Sequence, residues 1–389
     1  MKTARYCGAL IAVTLLASAC GDDKKSGGEA LKEIGTGEKA LNLIVWAGYA
    51  EDGSTYPEYD WVHPFQDQTG CVVKSKIAAT SDEMFQLMGT GEYDGVSASG
   101  DASVRLIDAG LVSPVNTALI KNYADLSSFL KDQHYNSSDG KNYGIPHGWG
   151  ANYLMWNTEV VSPAPDSWSV VFDKASPYSG KVTAYDAPIY IADAALYLKT
   201  AQPDLGIDDP YSLNQTQFDA AVALLKDQHS IIGEYWNDYT KTQSAFEKGS
   251  TVLGTTWQVI KNLAVANKAP LETVIPKEGS TGWSDTWMVS SKAAHPNCMY
   301  MWMDYITSPA VQAQEAYYYG EAPANPKACE VIASDFGDPT HCDVFKATDE
   351  AFAKSISFWA TPRKTCLNGK GSDCVPFVDW IKAWTEIKG

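Results

Sequence analysis

Arginine is nearly missing from this chain: among 389 residues only Arg5, Arg105 and Arg363 carry a guanidinium. Positive charge is scarce altogether, with 30 lysines and arginines against 47 aspartates and glutamates and a formal charge of −17. Phosphate backbones and anionic headgroups repel such a chain, which argues against nucleic acid or a membrane surface as partner and suits a cationic one. No C-x-x-C or H-E-x-x-H spacing occurs, and the six histidines are scattered, so no metal site and no cofactor are expected. The nucleophile elbow G-x-S-x-G is absent too. Ser128-Phe129-Leu130-Lys131 fits S-x-x-K, but its companions S-D-N and K-T-G do not occur, and an enzyme is not expected. After the first 19 residues no apolar run approaches the roughly 18 residues that span a bilayer.

The N-terminus holds an address. Lys2 and Arg5 precede an apolar run over residues 9–17, and Ala17-Ser18-Ala19 leads into Cys20. Residues 1–19 read as an export signal with a small-residue cleavage site. A cysteine at the cut resembles the lipobox of bacterial lipoproteins and marks Cys20 as the lipidated residue, in the periplasm or on the cell surface. Without Lys2 and Arg5 the mature chain carries −19. Residues 20–40, rich in Gly, Lys, Glu and Asp, are expected to be a flexible tether that leaves the lipid as the only membrane contact.

About 350 residues remain, which favours two domains. Six mature cysteines in an oxidising compartment imply three disulfides with 15 possible pairings. Cys366 and Cys374 flank a polar turn and form the safest local pair; Cys329 and Cys342 flank another loop; Cys71 is left to reach Cys298. Thirteen tryptophans and 21 tyrosines exceed what an ordinary core needs, and such rings are good platforms for ligands, cations included.

Residues 41–46 alternate so that both faces are apolar, as a strand inside a parallel sheet requires. A helical stretch near residues 59–68, a strand at 71–77, a helix opening at Ser81, a strand at 93–99 and a helix over 102–109 follow, which is β-α-β spacing. Residues 143–157 change character and read as a crossing into a second lobe. That lobe holds helices at 215–228 and 243–248 and a strand at 251–256, and residues 286–289 return to the first. Helices at 297–306 and 309–319 come next. The expected division is 41–147 with 286–350 for one lobe and 148–285 with 351–389 for the other. This is an α/β chain of two lobes with a ligand cleft between them.

In such folds the carboxyl ends of strands carry the ligand. Trp46, Asp101, Asp186 and Trp257 each fall at an expected strand end, while Trp283 and Asp285, two apart, face one way before the return. A carboxylate pairs with ammonium N–H groups, and an indole face attracts the cation for about 0.5–2 kcal/mol per contact.

Lys277-Glu278-Gly279-Ser280-Thr281-Gly282-Trp283-Ser284-Asp285 resembles a segment of the spermidine/putrescine-binding proteins of bacterial ABC importers. Tyr93-Asp94, Gly110-Leu111-Val112, Ile145-Pro146 with Trp149-Gly150, and residues 320–325 continue the likeness. The resemblance implies a type II-like periplasmic-binding-protein fold closing by hinge motion, permease partners, and ligand roles for Trp257, Trp283, Asp285 and Asp186. Asp101 and Glu321 stand where that family has tyrosines, Ala47-Gly48 where it has Thr-Glu, and Ile189 where it has a second acid. The acidic groups have thus moved. The run Trp46-Ala47-Gly48-Tyr49, Ser99-Gly100-Asp101 and residues 320–325 look like a branch that includes 4-aminobutyrate binders. For such a zwitterion Arg363 or Arg105 would supply the cation. The function expected is a monomeric solute-binding receptor for a small amine, polyamine first and 4-aminobutyrate second. A sugar receptor, a secreted glycosidase or a purely structural lipoprotein fits the Trp and Asp at strand ends less well.

Overall fold

The computed structural model describes residues 28–389; the expected export signal and Cys20 lie outside them. Two sheets organise the chain. The larger runs Ala322–Pro323, Gly144–Ala151, Ser280–Ser290, Gly95–Ala98, Ala40–Val45, Val72–Ile77, with Val112–Ser113 and Ile356–Phe358 also paired to Ser280–Ser290. The smaller runs Ile232–Trp236, Val182–Tyr185, Leu253–Thr256, Tyr153–Asn157, Leu271–Val274. Ala40–Val45 pairs in parallel with both neighbours, and Leu41, Leu43 and Val45 pack into one core while Ile44 packs into another. That two-sided burial is what the apolar run demanded. Val72–Ile77 closes the edge and exposes most of its length, Lys74 and Lys76 included, which discourages pairing with another chain. Among the described residues no helix is long and apolar enough to cross a membrane.

In the second lobe helix Gln215–His229 packs on helices Ile191–Ala201 and Phe377–Lys388 and is closed at its start by a capping box between Asn214 and Gln217. Phe218, Val222 and Leu225 are buried on its apolar face as the period predicts. Phe218 lies 5.7 Å from Trp380, so the C-terminal helix Phe377–Lys388 packs on this second lobe.

The chain passes between the sheets three times. Asn152 separates Gly144–Ala151 from Tyr153–Asn157, residues 275–279 lead back into Ser280–Ser290, and residues 359–376 join Ile356–Phe358 to the last helix. The return thus comes earlier than residue 286, and residues 148–151, 280–285 and 356–358 belong to the larger sheet rather than to the second lobe. The segment Ser280-Thr281-Gly282-Trp283-Ser284-Asp285 is extended, as the pairing of Trp283 with Asp285 on one face required, and every residue of the eleven-residue strand is buried. Small residues allow it: Trp283 pairs with Gly150, where a β-carbon would meet the indole at 2.7 Å. At the crossings Asn152 Nδ2 donates to Thr281 Oγ1 (2.7 Å), Thr281 Oγ1 donates to Asp193 Oδ1 (3.0 Å), and Trp257 Nε1 donates to Asn152 Oδ1 (3.1 Å).

All three disulfides form in the pairing expected, and Cys71–Cys298 joins residues 227 apart across a Cα separation of 5.8 Å. Over residues 28–40, however, the chain is not the free tether that its composition suggested. From residue 28 onward the chain lies against the first lobe: Gly35 N donates to Asn297 Oδ1 (2.6 Å), and the Glu38 carboxylate accepts the N–H groups of Asn297 and Cys298, both at 3.0 Å. Glu38 therefore caps helix Pro296–Ile306, where orphan donors and the helix dipole favour an anion. Burial works to raise its carboxyl, but the hydrogen bonds from Cys298 and Asn297 prevail and hold it below its ordinary value. Glu38→Ala should cost about 1 kcal/mol, the usual worth of a cap, read as a lower urea midpoint at unchanged slope. An unchanged midpoint would mean that the cap does not hold residues 28–39.

Candidate functional site

The carboxyl ends of strands from both sheets converge on one cavity lined by Trp46, Ser99, Tyr185, Trp257, Trp283, Asp285, Tyr319 and Trp359. Trp46 follows Ala40–Val45, Ser99 follows Gly95–Ala98, Tyr185 ends Val182–Tyr185 and Trp257 follows Leu253–Thr256. Tyr319 ends helix Pro309–Tyr319, and Trp359 follows Ile356–Phe358 at the third crossing. Six of the eight lining residues are aromatic, and only Asp285 can carry a charge at neutral pH.

The rings pack against one another. Tyr185 stacks on Trp359 (5.3 Å, 18°), while Tyr185 and Trp257 (5.7 Å), Trp257 and Trp283 (6.3 Å), and Trp283 and Tyr319 (6.1 Å) meet at steeper angles. The cavity left between them is about 10 Å³, the scale of a single water. Admitting any organic ligand therefore requires the lobes to part, separating Trp46 and Trp283 from Tyr185 and Trp257. Trp257 spends its N–H on Asn152, whereas the indole N–H groups of Trp46, Trp283 and Trp359 are buried without an acceptor among the described residues.

Asp285 is 3 % exposed. Its Oδ1 accepts from Ser99 Oγ (2.5 Å) and its Oδ2 from the Tyr49 hydroxyl (2.8 Å). Burial raises its carboxyl above the usual range, against the opposing pull of His147, Ser99 and Tyr49. The Tyr49 oxygen also lies 2.9 Å from Glu321 Oε2. One hydroxyl has one proton, so for both contacts to be hydrogen bonds one of the carboxyl groups must itself be protonated. Glu321 is the stronger candidate: burial pushes it well above the usual range, and Glu315 and Asp285 push it further.

Trp46, Trp257, Trp283 and Asp285 thus meet in the cavity. The other candidates go elsewhere. Asp101 sits in the first turn of helix Gly100–Asp108, accepts from Ser81 Oγ (2.9 Å), and is raised to about 6 by burial. Asp186 accepts from Lys388 Nζ (2.6 and 2.7 Å) and Trp384 Nε1 (3.2 Å), turned toward the last helix. Glu321 is buried one layer behind the cavity, beyond Tyr49. Arg363 forms two hydrogen bonds to Asp108 (3.0 and 2.6 Å), and Arg105 pairs with Asp82 at 2.5 Å, so neither arginine lines the cavity. Sequence reasoning missed Ser99, Tyr185, Tyr319 and Trp359. Ser99 stands two residues and Tyr185 one residue before a chosen aspartate, so taking the last residue of each expected strand instead of the acid beyond it would have found them. Trp359 lies in a stretch without periodic signal.

The model of the bacterial extracellular solute-binding protein family matches residues 60–339, well over half of the chain. The chain is 23 % identical over 311 residues to a spermidine/putrescine-binding periplasmic protein of Escherichia coli K12, covering 76 % of this chain and 85 % of that one. It is 23 % identical over 300 residues to a putrescine/agmatine-binding protein of Pseudomonas aeruginosa, covering 71 % and 79 %. The fold matches the solved spermidine/putrescine ABC transporter substrate-binding protein PotD of Streptococcus pneumoniae with a TM-score of 0.67 at 18 % identity, over 90 % of this chain and 99 % of that one. With two lobes, three crossings and a cavity built from the strand ends of both sheets, the chain belongs to the bacterial extracellular solute-binding proteins.

Proposed function

We propose that the protein captures a small organic ammonium ion between its lobes and delivers it to the permease of an ABC importer, with polyamines as the first class of ligand. One observation carries this reading: a buried carboxylate, Asp285, stands alone among six aromatic side chains contributed by both lobes. A cation entering there gains a charge-assisted contact with Asp285 and π contacts worth about 0.5–2 kcal/mol each. Two or three of these, with burial of a short alkyl chain, reach roughly −8 kcal/mol, which is micromolar affinity. Capture, lobe closure and release need no covalent step. In this reading Cys20 carries the lipid that keeps the receptor, as a monomer, near its permease.

A second reading, an amino-acid-like amine such as 4-aminobutyrate, has its own support. Three indole N–H groups around the cavity have no acceptor among the described residues, and a ligand carboxylate is one that could satisfy them. Arg363 and Arg105 have no part in this version.

A thermal-shift screen with putrescine, spermidine, 4-aminobutyrate, a choline-type amine and several sugars separates the readings. A ligand at about 100 times its Kd adds about 2.7 kcal/mol of stability, a clear rise in Tm. A response to the diamines alone supports the first reading, and one to 4-aminobutyrate the second. Sugars acting while amines stay silent would refute both.

A further inference from the structure

Behind the cavity, on the far side of Tyr49, three side chains from distant parts of the sequence converge. His147 comes from strand Gly144–Ala151, Glu315 from helix Pro309–Tyr319, and Glu321 from the link to Ala322–Pro323. A bulge delivers the histidine: Asp285 pairs with Gly148 and Thr286 with Pro146, leaving His147 as the extra residue turned out of the ladder. Gly148 lets the third ligand approach, since a β-carbon there would collide with the Glu321 carboxyl. All three residues are buried, and a ligating atom of each lies within 4.8 Å of the others.

The polar atoms in this nest are unsatisfied. His147 Nδ1 and Glu315 Oε1 are 2.9 Å apart, yet they do not align as a hydrogen bond, and Glu315 Oε2 and Glu321 Oε1 also have no partner. Among the described residues no lysine or arginine pairs with Glu315, Glu321 or Asp285. Buried carboxyl groups side by side are costly to ionise, and a centre of positive charge among them removes that cost. The outer contacts are those of a metal site. His147 Nε2 is held by Ser97 Oγ at 2.8 Å, fixing the ring, and Glu321 Oε2 is held by Tyr49 at 2.9 Å.

We propose that His147, Glu315 and Glu321 bind one divalent first-row transition-metal ion. One imidazole nitrogen and two carboxylates suit zinc or manganese; calcium would want six or more oxygens, and copper(I) softer ligands. The ion would join three elements behind the cavity wall, one of which, helix Pro309–Tyr319, lines the cavity through Tyr319, with Tyr49 as the link to Asp285. Its role is to brace that wall, and the solute does not touch it. No spacing in the sequence announces the site, because its ligands are separated by 168 and 6 residues and lie on a strand, a helix and a loop.

The test uses the chain without a histidine tag, stripped with a chelator, given zinc or manganese chloride in excess, and desalted. Metal is counted by plasma mass spectrometry and Tm is read in parallel. The wild type should retain about one equivalent and melt higher than the stripped protein. Glu315→Gln and Glu321→Gln, each of nearly unchanged volume, should lose that equivalent and the rise in Tm, while Asp285→Asn should keep both. Far-UV circular dichroism shows whether each variant is folded, and His147→Ala serves as the third ligand deletion. No retained metal in the wild type, or an equivalent that survives in both glutamine variants, would overturn the proposal. Neither result bears on the amine reading, which rests on Asp285 and the rings.

Discussion

Asp285→Asn should weaken binding of the amine ligand at least about tenfold, a loss of roughly 1.4 kcal/mol, and leave the fold standing. The reasoning is local. Asp285 is the sole carboxylate lining the cavity, it is 3 % exposed, and Ser99 and Tyr49 aim it. An asparagine keeps the shape and an oxygen for Ser99 or Tyr49 but offers the ligand no charge. The aromatic walls remain, so residual affinity should persist. The measurement is titration calorimetry with whichever amine the thermal-shift screen identifies. Equal affinity in the variant would show that the ammonium group is held elsewhere and that the assigned cavity is not the binding site.

The second large effect concerns stability and pH. Asp193, in the first turn of helix Ile191–Ala201, is buried and accepts from Thr281, which joins it to Asn152 and so to two of the three crossings. Burial raises its carboxyl to about 7, against the opposing pull of Thr281 and the backbone. An unfolded aspartate titrates near about 3.9. Between these values the folded state binds the extra proton, so the stability Asp193 contributes is fully present below about pH 4 and is lost as pH rises toward 7. At pH 8 the charge is buried in the folded state at a cost of a few kcal/mol, since each pKa unit is about 1.4 kcal/mol. Asp193→Asn resembles the protonated form and can still accept from Thr281. The variant should therefore be more stable than the wild type by about 2 kcal/mol at pH 8 and indistinguishable from it near pH 4, measured by urea unfolding. A variant destabilised equally at both pH values would show that the Thr281 contact, not the charge, is what Asp193 supplies.

What the sequence revealed and what it concealed follow from one distinction. Features written in a short period were legible: the two-faced strand Ala40–Val45, the apolar face of Gln215–His229, and the pair Trp283 and Asp285. Features that depend on parity or on tertiary meeting were not. Asp186 stands just past the strand end that Tyr185 forms, and adjacent side chains there point opposite ways: Tyr185 lines the cavity while Asp186 turns to Lys388. Arg363 looked like a carboxylate partner only because Asp108, 255 positions away in the chain, was not visible as its own partner. Residues 28–39 looked like a tether because a cap at long range, Glu38 on Asn297 and Cys298, leaves no mark on local composition. His147, Glu315 and Glu321 were silent for the same reason.

The place of Ser280–Ser290 at the centre of the larger sheet governs the order in which the molecule can be assembled. This strand lies between Gly95–Ala98 and Gly144–Ala151, both synthesised long before it. A nascent chain therefore presents unpaired strand edges until the second sheet has followed, and such edges invite association with other chains. The first lobe gains its central strand only after every strand of the second has been made. Neither lobe is a continuous stretch of sequence, and a fragment ending before residue 280 would lack the strand that binds the sheet into one piece.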